Sequence, residues 1–476
     1  MRLALAIIIC KFLYIIGSRI GKGSSLPGRV ALTICPRALK LIGLPEIVVA
    51  VTGSNGKTTT TEMIARALTE NGMSVGWNRE GANQTEGIAT LLLRSAGLNG
   101  TVKRDAIVME CDERSAWQTF KSVRPSVLVV TNLCRDQLTR NGHPEFIMDC
   151  LGKAVEAASG NNDGGGAGTK LVLNADDPYV TALAAKQTRN AESPSNDCLY
   201  FGVSEEALEA GTATSGPVSA LHTGGMYDDG AYCPVCKSKM AYGYRVAAHM
   251  GGYRCDACGH RRPEPDMEIC GIALDSGEVK FSGGLTARLT FPGLTGAYNM
   301  AAALAAATAA GINAEDAALA LDGFELTGGR TPRFTVCGRE GLLLISKHEN
   351  SLSYDQSLAR ILERRRPCDV IVMVDSISRK YYTSETSWLW DIDFDKLADE
   401  NVKNIILTGR YINELAARFA MTAVAPEKIS CVADPAGLRE RLGRIPGGEL
   451  YALTCFADKG KLLKALGARG GSEQRP

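Results

Sequence analysis

The sequence predicts an α/β protein: a parallel sheet with a phosphate loop and an inserted cysteine ribbon, then a second α/β domain. Three observations predict it. An apolar run, Val48-Val49-Ala50-Val51-Thr52, ends in Gly53-Ser54-Asn55-Gly56-Lys57-Thr58-Thr59-Thr60 and passes into a helical pattern. Further apolar strands recur at helix-length intervals, as in a sheet covered on both faces. Two Cys-x-x-Cys pairs, Cys233/Cys236 and Cys255/Cys258, are separated by eighteen residues.

At 476 residues the chain has room for two or three domains. A hydrophobic content of 45% with 22% charged residues is that of a soluble globular protein. The net charge of +1 removes the electrostatic case for nucleic acid. Of fifteen cysteines only four have paired spacing, which points to reduced thiols in the cytoplasm and one metal site, not a disulfide framework.

Residues 1–45 read as a helical segment. Residues 1–17 are strongly apolar but interrupted by Lys11, and Arg2, Arg19 and Lys22 flank them. Neither half reaches the roughly 20 residues of a bilayer span, and no small-residue cleavage site follows. The reading is a helix against the body of the protein or at the membrane surface. Leu26-Pro27-Gly28 is expected to break the chain before a second helix over 30–42.

Residues 46–330 read as the ATP-binding domain. Gly53 and Gly56 let backbone N–H groups close on phosphate oxygens, and the helix start adds positive potential. Asn55 and Thr59 belong to the same loop. Lys57 is placed to reach the β- and γ-phosphates, and Thr58 to set its hydroxyl on Mg²⁺. Lys57→Ala is therefore expected to abolish ATP hydrolysis and leave the fold intact. The common phosphate loop has Gly six positions before the Lys; here that position is Val51. A strand over 106–109 ends in Glu110-Cys111-Asp112-Glu113, which makes Glu110 the candidate Mg²⁺ ligand; a solvated acidic turn competes. The polar stretch 77–83 is expected to line the sheet's ligand edge. Strands over 126–130 and 170–173 follow, and 160–168 reads as a Gly/Asn connection. About 225–265 reads as a Cys₄ ribbon, a closed and therefore structural zinc site formed by Cys233, Cys236, Cys255 and Cys258. His260 reads as a surface residue. The sheet is expected to resume near Leu289, with Asn299 at the start of an alanine-rich helix over 302–310; on its own Asn299 could be an N-cap.

The segment Thr52-Gly53-Ser54-Asn55-Gly56-Lys57-Thr58-Thr59 resembles the Mur ligase superfamily, whose members activate a carboxylate as an acyl phosphate at the cost of ATP. Adding Asn78-Arg79-Glu80-Gly81-Ala82-Asn83, the Glu110 strand end, residues 131–138, residues 173–178 and the Cys₄ ribbon narrows the resemblance to the MurT family. These are ligase subunits of lipid II isoglutaminyl synthase. Peptide-forming Mur ligases usually have His where this chain has Gln137; the MurT family has Gln. Only 52 residues precede Gly53, too few for the nucleotide-sugar domain of the peptide-forming enzymes.

The resemblance implies that Asn299 contacts the nucleotide. It also implies that Arg330, at the hinge into residues 331–476, contacts phosphate, against the reading of a solvated linker. In the last domain, an α/β unit with strands near 342–345, 370–374, 402–407 and 450–454, Glu385-Thr386-Ser387-Trp388-Leu389-Trp390-Asp391 resembles a family pattern. Its first acid completes the triad of a partner glutaminase. That acid is Asp in the family and Glu385 here; Asp391 is the competitor. Residues 347–356 and 376–384 depart from the family. No Cys outside the ribbon sits in a nucleophile elbow with a His partner, so ammonia is expected from a separate GatD-like chain in a heterodimer. The implied reaction is ATP- and Mg²⁺-dependent amidation of the D-glutamate α-carboxylate of lipid II. It would take place in the cytoplasm, at the inner face of the membrane. Two alternatives remain: a Mur- or folylpolyglutamate-like ligase that adds an amino acid, and a non-catalytic zinc-ribbon scaffold that binds ATP.

Overall fold

The computed structural model describes residues 1–19, 23–160, 168–188, 198–209, 227–273, 276–290, 293–325, 333–362, 365–376 and 385–468. Three helices come first: α1 (Arg2–Arg19), α2 (Leu26–Ile34) and α3 (Ala38–Leu41). Leu26-Pro27-Gly28 does not break the chain as expected; it forms the first turn of α2, where the N–H that proline lacks has no intrahelical partner anyway. Gly28 is needed there because a Cβ would lie 1.9 Å from the Glu86 carbonyl oxygen. The helix expected over 30–42 is split instead at Cys35-Pro36, since Pro36 cannot continue the hydrogen-bond ladder.

The main sheet has nine strands. They are β1 (Ile47–Thr52), β2 (Val75–Trp77), β3 (Ala106–Glu110), β4 (Val127–Val130), β5 (Lys170–Asn174) and β6 (Cys198–Val203). A separate hairpin, β7 (Ala241–Ala247) and β8 (Met250–Arg254), joins the two cysteine pairs. The sheet then continues with β9 (Met267–Ile272), β10 (Glu278–Phe281) and β11 (Thr286–Arg288). The order is β11-β10-β9-β6-β5-β4-β1-β3-β2. From β9 to β2 all pairs are parallel; β10 and β11 are antiparallel. So the sheet resumes at Met267, not near Leu289, and its last edge is not parallel, because connections this short permit only hairpins.

The interior strands are apolar along their whole length because both faces are covered. On one face Val49, Val51, Val127 and Val129 meet α4 (Lys57–Glu70) and the helix Leu294–Ala309. On the other, Val48, Ala50, Leu128 and Val130 meet α1, α2 and the helix Thr85–Ser95. The alanine helix begins at Leu294, well before the alanine run itself. Its small side chains let it lie close on the sheet, and nearly all of them are buried.

The second sheet contains β12 (Arg333–Val336), β13 (Arg339–Ser346), β14 (Cys368–Met373), β15 (Val402–Thr408), β16 (Ile429–Val432) and β17 (Glu449–Cys455). Its order is β12-β13-β17-β14-β15-β16, parallel except for β12. Among the described residues, no helix is long and apolar enough to cross a membrane.

Candidate functional site

The turn between β1 and α4 is shaped by two glycines. Gly53 has φ 126° and Gly56 φ 82°, regions that disfavour a side chain. A Cβ on Gly53 would lie 2.3 Å from Thr131 Oγ1, and one on Gly56 2.2 Å from Asn299 Oδ1. Asn132 braces the turn: its carbonyl accepts from Ser54 N at 2.8 Å and its Oδ1 from Asn55 N at 3.0 Å. Thr131 Oγ1 donates to the Asn55 carbonyl at 2.6 Å. Thr59 is buried in the first turn of α4.

Lys57 is buried. Its ammonium donates to the Gly53 carbonyl and to Glu113 Oε2, the latter at 2.8 Å. Burial pulls the ammonium down, but Glu113, with Asp136 and Glu110 behind it, outweighs this and holds it above its usual value. For Glu113 burial pushes the carboxyl up, and Lys57 and Lys347 outweigh it, so it stays ionised. Asn141 Nδ2 donates to the other oxygen, Glu113 Oε1, at 3.1 Å.

Thr58 Oγ1 donates to Glu110 Oε2 at 2.8 Å, and Asn83 Nδ2 to Glu110 Oε1 at 3.0 Å. Asn78 fixes the same strand end, accepting from Glu110 N at 2.9 Å. The polar stretch after β2 therefore meets the carboxyl end of β3, and Glu110 is not a solvated turn residue. Hydroxyl and carboxylate side by side are hard oxygen donors, and few protein ligands suit Mg²⁺, which keeps several waters.

Asn299 lies in the second turn of its helix, so the N-cap reading is wrong; its Oδ1 abuts Gly56 and accepts from Thr60 Oγ1 at 3.4 Å. Arg330, the candidate hinge arginine, lies outside the described residues, as do most of 376–384 and 161–167.

Sequence reasoning noted residues 347–356 only as a departure from the family. In the structure they close on the phosphate loop. Lys347 Nζ donates to the Ser54 carbonyl at 2.7 Å and to Asp136 Oδ2 at 2.6 Å. Asn350 Nδ2 donates to Asn55 Oδ1 at 3.1 Å and to Asp136 Oδ1 at 3.0 Å. Gln137 has φ 47°, and its N–H donates to the Glu349 carbonyl at 2.9 Å. Next to it Arg135 grips Asp229 (2.8 and 2.9 Å) and Asp391 (3.0 Å to each oxygen). A cleft opens between Asn299, Asn132, Tyr227, Leu352, Asp355 and Lys396. Burial pushes the Asp355 carboxyl up to about 7 against the pull of Lys396.

Glu385 is only slightly covered; its Oε1 accepts from Ser387 N at 2.7 Å, which helps hold its carboxyl below its usual value. Trp388 behind it is buried beside Tyr354, ring centroids 5.3 Å apart. The thiols of Cys111, Cys134 and Cys455 are pushed up by burial, which makes them inert rather than nucleophilic.

The four ribbon cysteines converge, with all Sγ atoms within 4.8 Å of one another. Cys233–Cys258 and Cys236–Cys255 are 3.7 and 3.5 Å apart. A tetrahedron with metal–sulfur bonds of roughly 2.3 Å has edges of roughly 3.8 Å, so the donor set fits a closed tetrahedral site. His260 is not a free surface residue: its Nε2 lies 3.0 Å from the Pro178 carbonyl, docking the ribbon on the main sheet's helices.

Comparison with known proteins agrees with this layout. Residues 51–223 match the family model of the Mur ligase middle domain, and 348–456 that of the MurT ligase C-terminal region. Lipid II isoglutaminyl synthase (glutamine-hydrolyzing) subunit MurT of Streptococcus pneumoniae R6 is 30% identical over 420 residues, 87% of this chain and 85% of its own length. The Staphylococcus aureus N315 protein of that name is 28% identical over 410 residues, covering 85% and 84%. Among solved structures, a pseudomurein peptide ligase type C from Methanothermus fervidus aligns with a TM-score of 0.60 at 19% identity, over 87% of this chain and 77% of its own. MurF from Thermotoga maritima in complex with ADP aligns at 0.56 and 16%, over 92% and 83%. At such identity the two structures speak for the Mur ligase fold alone.

Proposed function

The chain belongs to the MurT family of Mur ligase-fold subunits, and on that premise we propose that it amidates the D-glutamate α-carboxylate of lipid II. ATP phosphorylates the carboxylate, and ammonia displaces phosphate to leave the amide. The ammonia comes from a GatD-like glutaminase chain bound to the 331–476 domain, at the inner face of the membrane where the acceptor lies. The observation that carries this reading is the cluster of Lys57, Thr58, Glu110 and Glu113 at the ends of neighbouring parallel strands, closed over by Lys347 and Asn350.

In the proposed mechanism Gly53 and Gly56 let the loop backbone close on phosphate, and Asn55, its N–H held by Asn132, fixes the shape of that loop. Lys57 offsets charge on the transferred phosphoryl group. Thr58 and Glu110 would hold Mg²⁺, which would neutralise phosphate charge when bound. Asn299 and the adjoining cleft receive the nucleotide, and Arg330 adds a cation at the hinge. The inert thiols near the site support an external source of ammonia.

The test weighs the product. With MgATP, lipid II and a glutaminase partner, glutamine should yield a product roughly 1 Da lighter than the acceptor, the difference between a carboxyl and a carboxamide. A gain of an amino-acid residue instead would favour the peptide-forming alternative. ATP turnover that depends on lipid II would exclude the non-catalytic scaffold.

The four cysteines hold a structural Zn²⁺ in this reading. Metal analysis of reduced protein should find one zinc per chain. Cys233→Ser should lose it and lower thermal stability, because a closed site contributes to folding directly. Reduced protein without metal would end the assignment.

A further inference from the structure

The exposed face of α1 is as apolar as its buried face. Ala6, Ile7, Cys10 and Gly17 point into the protein. Leu5, Ile8, Phe12, Ile15 and Ile16 are 45–61% exposed. Their spacing of three and four residues sets them in one continuous stripe. A helix that only packs against the body would present polar residues outward. Leu41 and Leu98 extend the apolar surface at 57% and 60% exposure. Gly100 sits where a Cβ would touch Leu3, so the turn carrying Leu98 lies beside the start of α1.

Charge on this part of the chain is one-sided. Arg2, Lys11, Arg19, Lys22, Arg29, Arg37 and Lys40 are its charged residues, and no Asp or Glu occurs before Glu46, although the whole chain is only +1. Beside α1 opens a cleft of about 470 Å³, lined by Lys11, Arg79, Arg94 and Arg104 with Trp77. Arg94 is fixed by its hydrogen bonds to the Tyr14 hydroxyl and, at 2.8 Å, the Trp77 carbonyl, and pairs with Glu80 at 3.6 Å, so Lys11, Arg79 and Arg104 carry the cleft's net positive charge. Arg79 stacks over the Trp77 ring at 5.2 Å.

We propose that this surface docks on an anionic lipid bilayer, with the α1 stripe sunk to the headgroup–acyl boundary and the basic cleft on lipid phosphates. Apolar side chains ringed by cations are the pattern of a helix lying in the interface plane. With three charges in eighteen residues α1 does not span. A second copy of the chain is the poorer occupant: a two-fold interface sets the same patch against itself, cation against cation. The proposal deepens the membrane location proposed above, but its test needs neither ATP nor acceptor, so it can fail without the amidation reading failing.

The full chain is floated with vesicles of phosphatidylcholine alone and with vesicles of equal parts phosphatidylcholine and phosphatidylglycerol. Binding is expected to the second and not the first, and to fall as salt rises. Phe12→Ser/Ile15→Ser should weaken it about tenfold or more. Both residues lie outside the buried face, so thermal unfolding and ATP turnover should match the parent. Lys11→Gln/Arg104→Gln should lose the preference for phosphatidylglycerol. Equal binding of parent and Phe12→Ser/Ile15→Ser overturns the proposal, and so does no binding by the parent. A parent dimer by sedimentation that this variant turns to monomer assigns the stripe to a second copy and overturns it as well.

Discussion

Lys57→Ala is expected to abolish ATP turnover and also to weaken the fold. The first half follows from the proposed role: removing one preorganised charge from the transferred phosphoryl group costs on the order of 10²–10³ in rate. The second half departs from what the sequence alone led us to expect. Lys57 is buried against Glu113, with 8% and 3% of their side chains exposed. Truncating one partner leaves a carboxylate without its ammonium inside the protein, which costs about 3–5 kcal/mol in general. In the variant only the more distant pull of Lys347 opposes burial, which is expected to raise the Glu113 carboxyl above its unfolded value. Its folded form then favours the protonated acid, so the variant should be more stable near pH 5 than near pH 8, losing stability as pH rises through the raised value. Adding Glu113→Gln should recover much of the thermal stability and none of the turnover. If the double variant regains ATP hydrolysis, Lys57 is structural and the phosphate-loop assignment is wrong.

Glu385→Ala separates two reactions. The proposed role is to orient the catalytic His of the partner glutaminase. Amidation driven by glutamine should then fall by roughly 10³–10⁴, the scale on which triads lose activity when the orienting acid is neutralised. Amidation driven by added ammonium should persist, since it bypasses the glutaminase. Glu385→Gln should behave like the alanine variant. The structure bears on the rival. Both carboxylate oxygens of Asp391 face Arg135 at 3.0 Å, whereas Glu385 is largely exposed and held ionised by Ser387 N–H. Unchanged use of glutamine by both variants removes the triad role. Loss of the ammonium reaction as well moves Glu385 to the ligase site.

The sequence announced the phosphate loop because its chemistry is local: strand, glycines, Lys57 and helix are contiguous. Glu110 was legible for the same reason, as a carboxylate at a strand's end. Glu113 was not, though only three residues on, because its partner is chosen by burial and not by spacing. Lys347 and Asn350 were invisible as site residues. They reach Ser54 and Asn55 from nearly three hundred positions away, and nothing in the pattern around them marks a tertiary contact. Local rules also misplaced boundaries. Proline at 27 was read as a stop, yet it stands in a first turn, where it starts a helix. The antiparallel edge after β9 was missed because β10 and β11 are short and only partly apolar.

The placement of the ribbon has a consequence for how the chain is made. β6 ends at Val203, and its sheet neighbour β9 begins at Met267, with the cysteine hairpin between them. During synthesis the earlier strands can pair as they emerge, but β6 is left as a bare edge until the chain has been through the ribbon and back. An unpaired parallel edge is an aggregation hazard. The time it stays open is set by how fast the hairpin closes, which in a zinc-held ribbon depends on metal supply. If the four cysteines hold zinc as proposed, a chain made without it would keep that edge open for longer during synthesis.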